Sequence, residues 1–94
     1  MRDSEFEWDD RKAAANYARH RVTFEDARLA FEDTYAIARE DIRQDYGEPR
    51  VILLGMTEDR LLHVAYTVRG ERVRIISARL AEPRERRRYH EEDR

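Results

Sequence analysis

Ninety-four residues leave room for one domain, spanning residues 1–94, with a modest core, because a chain of this size buries only about 60–65% of its unfolded surface. Cysteine is absent, charged side chains (43%) outnumber apolar ones (40%), and no apolar stretch nears bilayer length, which excludes a disulfide scaffold, a thiolate site and a membrane-spanning helix. The opening MRDSEFEWDD is acidic and lacks an apolar h-region, so a cytoplasmic setting with no membrane partner is expected.

Phe6-Glu7-Trp8 reads as a short strand. Asp9 is then placed to cap a helix over residues 10–20, since its carboxylate can accept the unpaired N–H groups of the first turn. Ala14, Tyr17 and Ala18 share one face of that helix. Thr23 opens a second helix, with Asp26 three residues on in a loose relative of the capping box, and Phe24, Ala27 and Phe31 form its apolar stripe. A strand is expected over residues 35–39, then a polar loop over 41–49. Three runs rich in Val, Ile, Leu and Tyr follow at 50–57, 60–68 and 72–80, separated by Glu58-Asp59 and Arg69-Gly70-Glu71. Links this short join antiparallel strands into a meander. Pro83 suits the first turn of a terminal helix, in which Arg87 with Glu91 and Arg88 with Glu92 can pair one turn apart. The order β-α-α-β-β-β-β-α is that of an α+β domain.

The net charge of −2 hides a segregation. Residues 1–48 carry 8 basic and 13 acidic side chains, whereas residues 49–94 carry 11 and 8. Between Arg60 and His90, nine arginines meet only Glu71, Glu82 and Glu85, the kind of asymmetry that points to a polyanionic partner, RNA above all. The basic set is 18 Arg and the single Lys12. Guanidinium holds phosphate through a planar fork and stacks on bases, although a GC-rich coding bias produces the same composition, so position must decide.

With a two-residue turn at Gly70-Glu71, Val68 faces Val73, Tyr66 faces Ile75 and Val64 faces Ser77. Side chains alternate between faces, which puts Leu62, Val64, Tyr66, Val68, Val73 and Ile75 on one face, ending in Arg79. The other face holds His63, Thr67, Arg69, Arg72 and Arg74, with Ala65 and Ile76. The first is core. The second is either a phosphate platform or a solvated face whose arginines pair with nearby carboxylates, and any slip of register exchanges the two faces.

Other constellations carry less. His20, His63 and His90 are isolated from one another, so no metal site is expected. Ser4 and Ser77 lie in no nucleophile elbow, and Gly47, Gly55 and Gly70 make no phosphate-cradling loop. Asp41 with Asp45, and Glu7 with Asp9, read either as carboxylate pairs or as loop and cap residues. Trp8 and Tyr66 read either as core or as platforms for bases.

Taken in order, a longer set of residues resembles a known family. It runs from Phe6-Glu7-Trp8-Asp9 and Lys12 through Arg19-His20, Thr23-Phe24-Glu25-Asp26-Ala27 and Phe31-Glu32-Asp33. It resumes at Asp41, Arg43, Asp45-Tyr46-Gly47-Glu48, Arg50 and Gly55-Met56. It continues at Tyr66-Thr67, Arg69-Gly70 and Arg74-Ile75-Ile76-Ser77-Ala78-Arg79, and ends with Glu85-Arg86 and Tyr89. At this spacing the set resembles the BrnT family of toxins from bacterial type II toxin–antitoxin pairs. Arg21 stands where that family usually has Gly, and Val68 where it often has an acidic residue.

The resemblance implies a RelE-like fold, two N-terminal helices packed on an antiparallel meander with a short C-terminal helix. It implies an endoribonuclease of the mRNA-interferase kind that arrests translation. A small DNA-binding antitoxin of the BrnA type would neutralise it in a hetero-oligomer, through which operator DNA is bound. An acidic or apolar arm of that antitoxin is expected on Arg69, Arg74 or Arg79. No cofactor is implied. The catalytic residues expected are Arg69, Arg74, Arg79 and His20, with Trp8, Lys12, Tyr66 and Arg72 binding substrate. Arginines would stabilise a phosphorane formed when the RNA's own 2′-hydroxyl attacks, and His20 is the matched group suited to proton transfer near neutrality. Two other functions suit the same residues: a non-catalytic nucleic-acid-binding or corepressor module, and an inhibitor of gyrase, since a fold alone does not choose.

Overall fold

A computed structural model describes residues 1–92. Its elements are β1 (Phe6–Glu7), α1 (Asp10–His20), α2 (Phe24–Ala30), β2 (Ile37–Glu40), β3 (Val51–Met56), β4 (Leu61–Arg69), β5 (Arg72–Leu80) and α3 (Pro83–Glu92). The expected pair of Arg88 with Glu92 lies outside the described side chains.

The helix starts follow from their caps. The Asp9 carboxylate accepts from the N–H groups of Arg11 (2.8 Å) and Lys12 (3.1 Å), and the Thr23 hydroxyl accepts from Asp26 N–H at 3.0 Å. Arg21 ends α1 at φ 58° and ψ 32°, with its N–H donating to the Tyr17 carbonyl. The tight turn therefore forms with a Cβ present, at a cost of about 1–2 kcal/mol that a glycine would avoid.

The sheet order is β1-β5-β4-β3-β2. β2 through β5 form the expected antiparallel meander. β1 adds a parallel strand beside β5, pairing Phe6 with Val73 and Glu7 with Arg74, so the five-stranded sheet is mixed. Beyond β1, the side-chain amide of Asn16 continues the pairing. Its Nδ2 donates to the carbonyls of Ala78 (2.8 Å) and Val22 (3.0 Å), and its Oδ1 accepts from Ala78 N–H (3.1 Å). One buried side chain thus ties α1 and the turn after it to the edge of β5.

Near the hairpin the register is as expected: Val68 pairs with Val73 and Tyr66 with Ile75. It then shifts at a bulge, so that Val64 pairs with Ala78 rather than Ser77, and His63 with Arg79. An extra residue on one strand turns every later side chain to the opposite face. Arg79 is therefore not the end of the apolar face, as the simple alternation had it; it projects from the same face as His63. Thr67 is also corrected: it is buried, and its hydroxyl donates to the Pro49 carbonyl, so the loop before β3 covers that part of the supposed outer face.

Both sheet faces are packed. On one, α1 and α2 enclose Trp8, Val22, Phe24, Ala27, Ala30, Leu53, Leu62, Val64, Ile75 and Ala78. α2 comes so close to β3 that a Cβ on Gly55 would stand 2.5 Å from the Ala30 carbonyl oxygen, which makes glycine a requirement there. On the other face Ala81, just before α3, and Tyr89 from α3 pack on Leu54 and Leu61. Tyr89 and Met56 N–H both donate to the Asp33 carboxylate, which anchors α3 over one end of the sheet.

Candidate functional site

α3 begins at Pro83 with Glu85 in its first turn, and the Glu85 carboxylate reaches back to accept from Glu82 N–H at 2.8 Å, as the third residue of a capping box does. The same carboxylate receives the Arg79 guanidinium in a two-point fork, 2.9 Å to Oε1 and 3.0 Å to Oε2. His63, the register partner of Arg79, lies with Nε2 3.7 Å from Glu85 Oε2. A strand residue, its cross-strand partner and a helix cap are thereby brought to one point.

The ionisation of this group follows from its surroundings. Burial first, and then the charge of Arg79, push His63 below the ordinary histidine value, against a smaller opposing pull from Glu85. His63 is therefore a neutral base at neutral pH, and its contact with Glu85 is not an ion pair. Its Nδ1 is buried with no hydrogen-bond partner among the described residues. Burial alone would raise the Glu85 carboxyl, but the Arg79 fork and the Glu82 N–H hold it below its ordinary value.

These three side chains line a cavity of about 560 Å³ together with Arg39 from β2, Arg43 from the following loop, and Arg84 and Arg88 from α3. Arg43 is bound to Asp41, donating from Nε and from Nη2 at 2.9 Å each. The Arg43 N–H (3.1 Å) and the Tyr46 hydroxyl (2.8 Å) add two more donors to that carboxylate, which sits far below the ordinary range, chiefly because of Arg43. Asp41 is thus a loop residue, as is Asp45, which accepts from Gly47 N–H. Arg39, Arg84 and Arg88 make no ion pair among the described residues, and they line the cavity together with the carboxylates of Glu40 and Glu82. Such an arrangement can hold a phosphodiester, take a proton from it and stabilise added negative charge on it.

Residues 8–85 match the family model of the ribonuclease toxin BrnT of type II toxin–antitoxin systems. The chain belongs to the BrnT family. A search of curated proteins returned no match. Membership implies an antitoxin partner and an RNA target. Among the described residues no helix is long and apolar enough to cross a membrane.

The BrnT-family chain distributes the residues expected from sequence over three places. Arg79 alone is in the cavity. Arg69, Arg72 and Arg74 lie on the same sheet face but toward the hairpin, and each has a partner within the chain. Arg69 donates to Glu48 at 3.3 Å, Arg72 Nε to the Asp3 carbonyl at 2.7 Å, and Arg74 to Glu7 at 2.7 Å. Of the two readings of that face, the paired one describes these arginines. Glu48 also supplies Arg69 with the carboxylate that Val68 does not. The remaining four belong to the helical side of the sheet. Trp8 is buried edge-on against Phe24, and Tyr66 packs its ring against Phe31. Lys12 is exposed in the first turn of α1, and His20 lies in the last turn of that helix, across the sheet from His63.

Sequence reasoning passed over His63, Glu85, Arg39, Arg84 and Arg88. For Glu85 a signal existed: Glu82-Pro83-Arg84-Glu85 has the spacing of a cap, a first-turn proline and a residue that reaches back. For His63 the signal was only its place on one face with Arg69, Arg72 and Arg74, because its actual neighbours are set by a bulge and by how α3 docks.

Proposed function

We propose that this chain is the toxin of its pair, an RNA endonuclease on a RelE-like scaffold, which cuts in the cavity between β2, β4, β5 and α3. The His63–Arg79–Glu85 cluster carries the reading. A neutral histidine lies beside a guanidinium fork and the carboxylate that holds it, a set able to accept a proton and to offset charge at a phosphate without a metal.

Arg39, Arg84 and Arg88 draw the RNA backbone to the mouth of the cavity. His63 takes the proton from the 2′-hydroxyl as its oxygen attacks the adjacent phosphorus. As the phosphorane forms, the Arg79 fork turns from Glu85 to its oxygens and neutralises the charge that builds there. The bond to the 5′-oxygen breaks, and water entering the cavity relays to that oxygen the proton that His63 had taken. One fragment ends in a 2′,3′-cyclic phosphate and the other in a 5′-hydroxyl. The antitoxin, of the BrnA type, silences the enzyme and carries the complex to operator DNA.

The test is digestion of RNA by the purified toxin with end-group analysis of the products. Cleavage should persist in EDTA and vanish when the nucleotide 5′ to the cut is 2′-deoxy. Removing one preorganised donor costs about 2.7–4 kcal/mol, so Arg79→Ala should be slower by roughly 100-fold or more, and His63→Gln should lose activity with the fold intact. Cleavage of the deoxy-substituted strand sinks the mechanism. Full activity in His63→Gln moves the base elsewhere.

A further inference from the structure

The two edges of the sheet are treated differently by the chain itself. At the β1 edge the N-terminal segment folds back: Arg2 bridges Glu7, Trp8 N–H donates to the Met1 carbonyl, and the Met1 amino group donates to the Trp8 carbonyl. At the other edge β2 has β3 on one side and, among the described residues, no strand on the other. Antiparallel pairs alternate between bonded and non-bonded. Asp41 N–H donates to the Arg50 carbonyl, so in the continuing register the pairs Arg39–Ile52 and Ile37–Leu54 are the bonded ones. The N–H and C=O groups of Ala38 and Glu40 therefore point away from β3, toward solvent. An unpaired edge is a template for another strand unless something blunts it. Here Tyr35 (59% exposed) and Ile42 (82% exposed) flank it with apolar surface.

The edge is joined to the cavity. Arg39 and Arg88 line the cavity and also, with Ile37 and Ala38, a recess of about 110 Å³ along β2. A strand laid against β2 would alternate its side chains between two faces. On one face they would meet Arg39 and Arg88, which make no ion pair among the described residues; on the other, the small Ala38 and the exposed Glu40. The arginines expected from sequence to receive an acidic arm, Arg69, Arg74 and Arg79, are already held by Glu48, Glu7 and Glu85.

We infer that the antitoxin silences this toxin by adding an extended segment to β2 as a sixth strand, with its carboxylates on Arg39 and Arg88. This rests on the ribonuclease reading of the cavity and goes beyond it in naming the edge and the mode. The segment reads acidic on the side facing α3 and apolar over Ala38. Because Arg39 and Arg88 then serve the antitoxin, RNA and antitoxin exclude each other although the antitoxin does not touch His63.

The experiment is hydrogen exchange on the full-length toxin, alone and with its antitoxin, together with affinities of two variants. The Ala38 and Glu40 amides should exchange rapidly in the free toxin and become protected in the complex. Ala38→Pro removes one outward N–H at an edge position where proline is tolerated. It should keep ribonuclease activity and weaken antitoxin binding by about tenfold to a hundredfold, as expected for one or two lost backbone hydrogen bonds. Ala38→Ser, which keeps the N–H, should bind as wild type. Unchanged exchange at Ala38 and Glu40 in a tight, inhibited complex overturns the inference and leaves the ribonuclease reading standing. Protection of these amides in the toxin alone, growing with its concentration, overturns it in favour of a second copy at this edge. An RNase-inactive toxin whose Ala38 and Glu40 amides the antitoxin still protects separates the two readings the other way.

Discussion

His63 is an ordinary histidine made into a base by where it is held. Burial and the Arg79 charge lower its proton affinity, and Glu85 returns only part of what they take away. The folded chain thus binds this proton less readily than the unfolded chain does. The associated stability is full above the ordinary value of 6.5 and is lost as the pH falls through the lower folded-state value. Catalysis should follow the same sign, because only the neutral ring can accept the 2′ proton. In a plot of kcat/KM against pH the acid limb should lie below 6.5. In Arg79→Gln the residual activity should show that limb displaced upward, since a positive neighbour has been removed. A limb that stays in place in Arg79→Gln would separate the titrating group from the Arg79 cluster. Glu85 titrates in the same sense at lower pH, being depressed as well, so acid first disarms the site and then loosens the cap of α3.

At the scale of elements, helix starts were legible because each is written in a local residue: Asp9, Thr23 and Pro83 all begin helices where side-chain chemistry says they should. Strands were legible as runs, and the Gly70 turn, at φ 62°, fixed the register beside it. What the local pattern does not contain is the bulge, since nothing in Ile75-Ile76-Ser77 marks which residue is left over. That one residue moves Arg79 from the core face to the His63 face. The parallel placement of β1 and the Asn16 clasp are likewise long-range events, the latter joining positions 62 residues apart. Asn16→Ala leaves the Ala78 N–H and two carbonyls buried without partners, and each unsatisfied group costs about 1–3 kcal/mol. Urea denaturation should show a loss of about 2–4 kcal/mol, with the α1 amides gaining exchange first. A loss below about 0.5 kcal/mol, the range of ordinary surface substitutions, would mean water replaces the amide and the clasp contributes little.

Over the whole molecule, the arginine excess of the second half was visible in sequence, but its useful part was not. Pairing decides it. Arg69 and Arg74 are neutralised by Glu48 and Glu7, the latter from the first strand, and the more exposed of the two pairs, Arg69–Glu48, adds little to stability while cancelling local field. Arg39, from the acidic half, meets Arg84 and Arg88 at the cavity mouth only because β2 and α3 lie side by side. Counterion release makes the distinction measurable, since log K for a single strand falls with log salt at about 0.7 per neutralised phosphate. Binding to RNA carrying a 2′-deoxy nucleotide at the cut site should therefore lose about 0.7 of its slope in Arg39→Gln, Arg84→Gln or Arg88→Gln. Arg69→Gln and Arg74→Gln should leave the slope nearly unchanged, because each deletes a charge that a carboxylate already opposes. Equal losses at Arg69 and Arg88 would place the RNA across the open sheet face as well as in the cavity, and the ion pairs with Glu48 and Glu7 would then be contacts that RNA displaces.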